Sequence, residues 1–141
     1  VDEIKTFIEG VRSKTHVILT LETLEYAKRS GRVGTLSAAL ASVLNVKPIA
    51  MLKDGIVDMV DRVRTRKGAI DRVLDLAKEN VGDSPVHIGV VHARDEASAK
   101  SLLEEAQKRF NVKESFLTDL SISLVINFGP GTVGLVLYPA E

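Results

Sequence analysis

An Asp-Gly pair at residues 54 and 55 constrains the fold of this chain more than any other feature. It separates two apolar segments, residues 46–52 and 56–63, and Asp-Gly in that setting is a strong signal for a β-hairpin. Pro48 in the first segment marks an edge or a bulge, because proline cannot donate to the ladder of a central strand. At least two neighbouring strands are therefore predicted to be antiparallel.

The remaining elements alternate between strands and helices. Four other short apolar segments are typical of strands, namely residues 17–19, 86–90, 112–118 and 133–137. Helical spacing of apolar residues predicts helices over residues 1–13, 66–80 and 95–110, and shorter ones over 20–31 and 36–44. Residues 120–128 fit a strand or a short helix equally well. We therefore expect a two-layer α/β domain, with a mixed sheet of about six strands and helices on one face.

Polar residues and glycines predict where the helices begin and end. Thr20 is expected to cap a helix that carries Leu24 and that Gly31 closes. Asp95 is expected to cap the later helix that reaches Phe110.

The composition excludes several classes of partner. The chain has 141 residues, of which 45% are hydrophobic, enough for one domain with a core of its own. Lys+Arg and Asp+Glu both number 19, so no overall charge favours nucleic acid. No apolar run approaches the roughly 18 residues of a membrane span. The absence of cysteine excludes disulfides, zinc-thiolate sites and thiol catalysis, and it agrees with a cytoplasmic location.

The segment Gly129–Gly134 matches the dinucleotide-binding pattern G-x-G-x-x-G letter for letter. That pattern must open a helix, with an acidic residue about 20 positions later, whereas here a predicted strand ends the chain. Nucleotide binding is therefore rejected. A tight turn is favoured over a loop whose bare amides approach a ligand.

No catalytic residue, cofactor or metal site is predicted. His87 and His92 lie five positions apart on one predicted strand, so they point to opposite faces and cannot share a metal. Arg62, Arg64 and Arg66 alternate, which is typical of a solvated face, although guanidinium groups could also hold a carboxylate or a phosphate. No serine or threonine stands in a nucleophile motif, so a binding module is favoured over an enzyme.

Three segments together resemble the DegV family. Residues 24–33 (LEYAKRSGRV) are similar to that family's "YLKKGGRI" segment. Residues 44–49 (LNVKPI) are similar to its "LNIKPIL" strand, and the Asp-Gly turn and residues 63–67 (VRTRK) come after them in the family's order. Residues 127–131 (NFGPG) occupy the place of the family's HxGPG loop, with Asn127 where the family has histidine.

The resemblance implies a C-terminal domain, residues 16–141, that covers the acyl chain of a long-chain fatty acid. Residues 1–15 would be the remnant of an inter-domain helix, and the N-terminal domain, which contacts the carboxylate through Ser and Thr, would be absent. It implies a fatty-acid kinase as partner, with Arg64 and Arg66 facing it. The ligand-binding residues would be Arg32, Asn127, Phe128, Gly129, Pro130 and Gly131.

Two other hypotheses remain open at this point. The arginines and the GPG loop could belong to an enzyme or regulator that acts on a small phosphorylated metabolite. The chain could instead be a structural domain that forms homodimers through an exposed apolar face. If a partner domain is missing, we expect a large apolar patch near Leu36–Leu44 or Leu124–Phe128.

Overall fold

The computed structural model describes residues 1–31 and 45–140. The helices among them are α1 (Asp2–Lys14), α2 (Glu25–Arg29), α3 (Arg66–Val81), α4 (Glu96–Arg109) and α5 (Ile122–Phe128). The strands are β1 (His16–Thr20), β2 (Lys47–Lys53), β3 (Ile56–Val63), β4 (Val86–His92), β5 (Val112–Asp119) and β6 (Val133–Pro139).

The strands form one mixed sheet in the order β3-β2-β1-β6-β4-β5. Only the β4–β5 pair is parallel among the pairs of the described strands. The predicted hairpin is confirmed, since β2 and β3 pair antiparallel across Asp54 and Gly55, with a register shift at Ile49/Ala50 next to Pro48. The expected α/β class and six-stranded mixed sheet are therefore confirmed.

The two long helices α3 and α4 pack on one side of the sheet, which we call the helix face. Their buried side chains meet the strand residues that point the same way, and these sets form the main core. Its fully buried strand members include Ile18, Ile49, Ile88, Leu135 and Leu137. Its helix members include Val73, Leu74, Ala77, Ala99, Leu102 and Ala106.

The opposite side of the sheet, which we call the open face, carries a second and smaller cluster. Leu19 and Ala50 of the sheet lie there under Leu24, which precedes α2, and under Phe128 of α5. The short helices cover only the end of this face at which β1 and β4 finish. The helices are therefore not confined to one face.

Local predictions are confirmed where a side chain makes the expected bond. The predicted cap at Asp95 is confirmed, since its side chain accepts a hydrogen bond from the Ser98 amide at the start of α4. Thr65, for which the sequence predicted no cap, caps α3 in the same way through the Gly68 amide. Thr20 does not cap a helix, because β1 continues through it and α2 begins only at Glu25. The ambiguous stretch 120–128 is resolved as α5.

Helix α1 contributes no buried residue, and its apolar residues Ile4, Phe7 and Ile8 are all more than half exposed. None of the helices in the described ranges is long and apolar enough to cross a membrane. Arg32 and the predicted helix over residues 36–44 lie outside the described residues.

Candidate functional site

The open face carries a row of apolar positions that crosses all six strands of the sheet. The registers join Met59 to Ala50, Ala50 to Leu19, Leu19 to Gly134, Gly134 to Val91 and Val91 to Thr118. Only Thr118, on the edge strand, is polar. Leu19 and Ala50 are 5% and 4% exposed, because the short helices lie over them.

The next row towards the start of β1 is also apolar but much less covered. Val17 pairs with Val136, Val136 with Gly89 and Gly89 with Phe116. Leu52, paired with Val57, adds further apolar side chains on β2 and β3. Leu52 and Phe116 are 43% and 50% exposed. These half-exposed apolar side chains, beside a covered apolar row, make a surface suited to an apolar ligand or partner.

The loop Gly129–Gly131 lies at the end of the sheet where β4 finishes and β6 begins. Gly129 (φ 84°) and Gly131 (φ 87°) both have left-handed backbone conformations, which explains why glycine stands at each position. The Gly129 amide donates to the Val125 carbonyl at 2.7 Å, and the Gly131 amide donates to the Ala93 carbonyl at 2.7 Å. These two amides are thus used within the domain, which supports the turn interpretation over that of bare amides aimed at a ligand.

Side chains from the segment after β1 rest directly on the loop glycines. A Cβ built on Gly129 would lie 2.2 Å from Cδ2 of Tyr26, and one on Gly131 would lie 2.9 Å from Cβ of Glu22. The loop therefore needs glycine for close packing as well as for its φ angles. Thr132 fixes the same loop from within, as its buried hydroxyl donates to the Gly129 carbonyl at 2.9 Å.

Arg66 links the loop Gly129–Gly131 to the start of α4 through hydrogen bonds. Its guanidinium donates to the Gly131 carbonyl and, at 2.9 Å, to the Asp95 carboxylate. Asp95 in turn accepts the Ser98 amide at 3.1 Å, and its own amide donates to Nδ1 of His92 at 3.2 Å. The family resemblance implies that Arg66 faces a partner; most of its side chain is instead engaged inside the domain, with 22% exposed.

The Asp95 carboxylate stays ionised to lower pH than an ordinary aspartate. Burial opposes its ionisation, but hydrogen bonds from the Ser98 hydroxyl and amide and the ion pair with Arg66 outweigh burial, so the pKa of Asp95 is lowered. The negative charge also lies at the N-terminus of α4, where the helix dipole favours it. The ion pair between Arg66 and Asp95, which we call the clamp, is therefore charged at neutral pH.

The predicted ligand residues lie in different surroundings. Asn127 is on the last turn of α5, and its amide Nδ2 donates to the Ser123 carbonyl at 3.0 Å. Phe128 is 8% exposed within the open-face cluster, and Pro130 is exposed. Arg64 is exposed beyond the end of β3, whereas Arg32 lies outside the described residues. The structure thus brings residues 127–131 together as one loop beside the open face.

At the far end of the open face, α1 and the strand ends enclose a cleft of about 420 Å³. Its walls include Phe7 and Val11 of α1, with His87 and Tyr138 from the sheet. The His87 and Tyr138 rings lie 5.1 Å apart between centroids. The apolar rows are therefore bounded by the glycine loop at one end and by this cleft at the other.

Comparison with known proteins decides the family. A family model described as uncharacterised DegV proteins matches residues 1–140. The chain belongs to the DegV family. A DegV domain-containing protein of Clostridium acetobutylicum is 33% identical over 138 residues, which are 96% of this chain and 49% of that protein. This chain spans about half the length of the curated DegV relatives that it matches.

Solved DegV structures share the fold. A DegV protein of Thermus thermophilus, described as fatty-acid-binding, superposes with a TM-score of 0.91 at 28% identity, over 99% of this chain and 51% of that one. A DegV protein of Ruminococcus gnavus, solved with vaccenic acid, gives 0.81 at 25% identity, over 96% and 49%. The recognition made from three short segments is thereby confirmed.

Sequence reasoning missed the contacts that hold the loop in place. Arg66, Asp95 and Gly131 are distant in sequence, so no local pattern joins them. Tyr26 stood out only as part of a family segment. The two glycines of the GPG loop were the available signal, since closely spaced glycines often mark a close approach by another part of the chain.

Proposed function

We propose that this chain binds a long-chain fatty acid, with the acyl chain against the open face and the carboxylate near the loop of residues 127–131. The observation that carries this proposal is the pair of apolar rows, of which the one through Val136 is partly exposed at its centre and half exposed at Phe116. Burying about 14 methylene groups is worth roughly 11 kcal/mol before the costs of binding. The ligands of the Thermus and Ruminococcus relatives support the same class of molecule.

The carboxylate end of the proposed site is incomplete in the described residues. The loop amides of Gly129 and Gly131 are engaged, and Asn127 donates to its own helix. A buried carboxylate needs hydrogen bonds or a counter-charge. We therefore propose that an N-terminal DegV domain, with Arg32 of this chain, supplies most of the headgroup contacts.

Apolar side chains on α5 support contact with a partner domain. Ile122, Leu124 and Ile126 are 80%, 41% and 63% exposed. They fall in the region where an apolar patch is expected from the sequence, and a helix this apolar normally packs against something. We propose that this surface meets the N-terminal domain; in its absence the same surface would support homodimers, which sedimentation at increasing concentration would detect.

Identifying the lipid that copurifies with the longest natural protein containing this chain tests the proposed binding. Native mass spectrometry should detect a fatty acid, and Val136→Glu should reduce its occupancy at least ten-fold, because a carboxylate on the open face would have to be desolvated. Ser115→Glu is the matched control, as Ser115 is exposed on the edge strand β5. Absence of lipid from the unaltered protein, or equal occupancy in both variants, would contradict the proposal.

We also propose that Arg64 contacts a fatty-acid kinase. Arg64 is exposed, and it makes no ion pair among residues 1–31 and 45–140. Arg64→Ala should lower the rate of phosphorylation of the bound fatty acid about ten-fold while lipid binding is retained, because charges at an interface rim mainly govern association. Arg62→Ala, exposed on β3 two residues before Arg64, is the control. Equal loss of binding and phosphorylation would refute this division of roles.

The phosphorylated-metabolite hypothesis has less support. It rested on the arginines and the GPG loop, and among these groups Arg66 and the loop amides already bond to Asp95 and to carbonyls of the domain. A phosphate bound by these groups would have to displace those bonds.

A further inference from the structure

His92 is a buried histidine at the end of β4, on the helix face of the sheet two residues after Val90. The residue is 8% exposed. Its ring nitrogen Nδ1 accepts the Asp95 amide at 3.2 Å, and Nε2 lies 3.4 Å from Oδ1 of Asp119. Because Nδ1 accepts a backbone N–H, the neutral ring carries its proton on Nε2. His92 is therefore held in one tautomer, with its acceptor facing Asp95.

The chain reverses sharply between His92 and Asp95. Arg94 has a left-handed backbone (φ 56°), which is costly for any residue that has a Cβ. A strained residue of this kind persists where its surroundings hold it in place. The bond from the Asp95 amide to Nδ1 of His92 spans the turn from one end to the other, so it holds Arg94 in this conformation.

Asp95 connects His92 to the glycine loop. Its carboxylate accepts the Ser98 amide at the start of α4 and pairs with Arg66, which also donates to the Gly131 carbonyl. The backbone position of Asp95 therefore sets where Arg66 can hold Gly131. Because Nδ1 of His92 fixes that backbone position, the influence of the ring reaches the loop through Asp95 and Arg66.

A second path joins the same strand end to the loop. Ala93, the residue after His92, donates to the Thr132 carbonyl at 2.9 Å and accepts the Gly131 amide at 2.7 Å. Both paths begin within three residues of the imidazole ring and end at the loop. The end of β4 is thus the support on which the loop rests.

We propose that His92 is a positioning residue for the carboxylate end of the fatty-acid site. Its Nδ1 keeps the loop of residues 127–131 where the headgroup is bound, and it acts through Asp95 and Arg66 rather than by contact with the ligand. Hydrogen bonds to a headgroup weaken steeply with misalignment, so a displaced loop binds a carboxylate less well. This inference rests on the proposed fatty-acid binding.

The two ring nitrogens of His92 can be tested separately. The Asp119 side chain is 90% exposed, and a contact with so exposed a carboxylate contributes little. Loss of Nδ1, by contrast, leaves the part-buried Asp95 amide without its acceptor. Asparagine places an oxygen where histidine has Nδ1, whereas glutamine places its amide near the position of Nε2. The bond to Asp95 is therefore retained in His92→Asn and lost in His92→Gln.

The test compares palmitic acid with hexadecanol, which has the same chain length and no charge. Displacement of a fluorescent fatty acid from the longest natural protein that contains this chain gives both affinities. His92→Gln should weaken the binding of palmitic acid about ten-fold, roughly the value of one hydrogen bond to a charged group, and that of hexadecanol less than two-fold. His92→Asn should retain the affinity for palmitic acid, because its Oδ1 can accept the Asp95 amide. Asp119→Asn is the matched control and should change neither affinity.

A second measurement does not depend on the variants. Nitrogen-15 NMR of the His92 ring in the unaltered protein at pH 8 should show a proton on Nε2 and none on Nδ1, and the opposite tautomer would overturn the inference. Equal losses for acid and alcohol in His92→Gln would mean a merely structural role, and equal behaviour of the glutamine and asparagine variants would mean that the Nδ1 bond has no part in binding. Either result overturns the inference alone. If the unaltered protein binds neither palmitic acid nor hexadecanol, the proposed function itself fails.

Discussion

The two faces of the sheet differ in the size of the residues that the same strands present to them. On the helix face, β4 presents Ile88 and Val90, which are fully buried. On the open face it presents Gly89 and Val91. Strand β6 repeats the pattern, with Leu135 and Leu137 on the helix face and Gly134 and Val136 on the open face. At the centre of β4 and β6, larger side chains thus fill the core, and glycines leave room on the other side.

The alternation of side chains along a strand therefore does not by itself show which face of the sheet stabilises the fold. Both faces are apolar, so a central strand forms a continuous hydrophobic run in the sequence. Residue size separates the faces, because a closely packed core needs volume whereas a binding surface needs space for its ligand. If that interpretation is right, equal truncations on the two faces should have unequal consequences.

The largest expected effect is on the helix face. Leu102→Ala removes a fully buried side chain between α4 and the sheet, and it should lower the free energy of unfolding by about 3 kcal/mol, within the range of about 2–5 kcal/mol for such cavities. Val136→Ala on the open face should cost less than about 1 kcal/mol. Urea unfolding followed by circular dichroism measures both. Similar losses would contradict the assignment of separate roles to the two faces.

A smaller loss of unfolding free energy is expected at Arg66, which links the loop Gly129–Gly131 to the start of α4. Arg66→Ala would leave the Asp95 carboxylate and the Gly131 carbonyl without their donor, which should cost about 2 kcal/mol of unfolding free energy. Arg66→Lys keeps the charge but not the planar guanidinium, whose Nη2 donates both bonds, so an intermediate loss is expected. A loss below about 0.5 kcal/mol in the alanine variant would show that the clamp is dispensable.

The charge on Asp95 should make part of this stability depend on pH. Because its pKa is lowered in the folded protein, Asp95 stabilises the fold fully above the pKa of an unfolded aspartate, about 3.9. That contribution is lost as the pH falls through the folded pKa. Asp95→Asn retains a capping side chain but no charge, and should cost about 1 kcal/mol at pH 7.

The comparison of that variant with the native chain isolates Asp95 from other titrating carboxylates, such as Asp61, whose pKa the hydrogen bond from Arg72 also lowers. The difference in unfolding free energy between the two proteins should shrink between pH 5 and pH 2. Stability curves that stay parallel over this range would mean that the Arg66–Asp95 pair adds nothing to the fold.

The sequence predicted the elements better than the contacts between them. Hairpin, strands and long helices follow from local rules, such as Asp-Gly between apolar segments and Asp95 before a helical pattern. The prediction that Thr20 caps a helix was wrong because threonine suits both a strand and a helix cap. Pairing of β1 with β2 and β6 places Thr20 in the strand. The hydrogen bond from Arg66 to Gly131 joins residues 65 positions apart, which no local rule can reveal.

The smallest expected effect concerns the one departure from the family pattern. Asn127 stands in place of the family's loop histidine, and a charged hydrogen-bond donor is worth about 1.5–3 kcal/mol against roughly 0.5–1.5 for a neutral one. Asn127→His should therefore tighten fatty-acid binding about five-fold at pH 5.5, provided that the new ring reaches the carboxylate. The gain should fade by pH 8.5, because neutral imidazole offers little more than the amide.

Asn127→Ala is the control for this last prediction, since it removes the bond to the Ser123 carbonyl without adding a donor. Its binding should be unchanged between the two pH values. A histidinium at the C-terminal end of α5 would also stabilise the helix through its dipole, so unfolding must be measured beside binding. If Asn127→His alters stability with pH while binding stays constant, residue 127 does not touch the headgroup. The loop would then be a turn that only borders the open face.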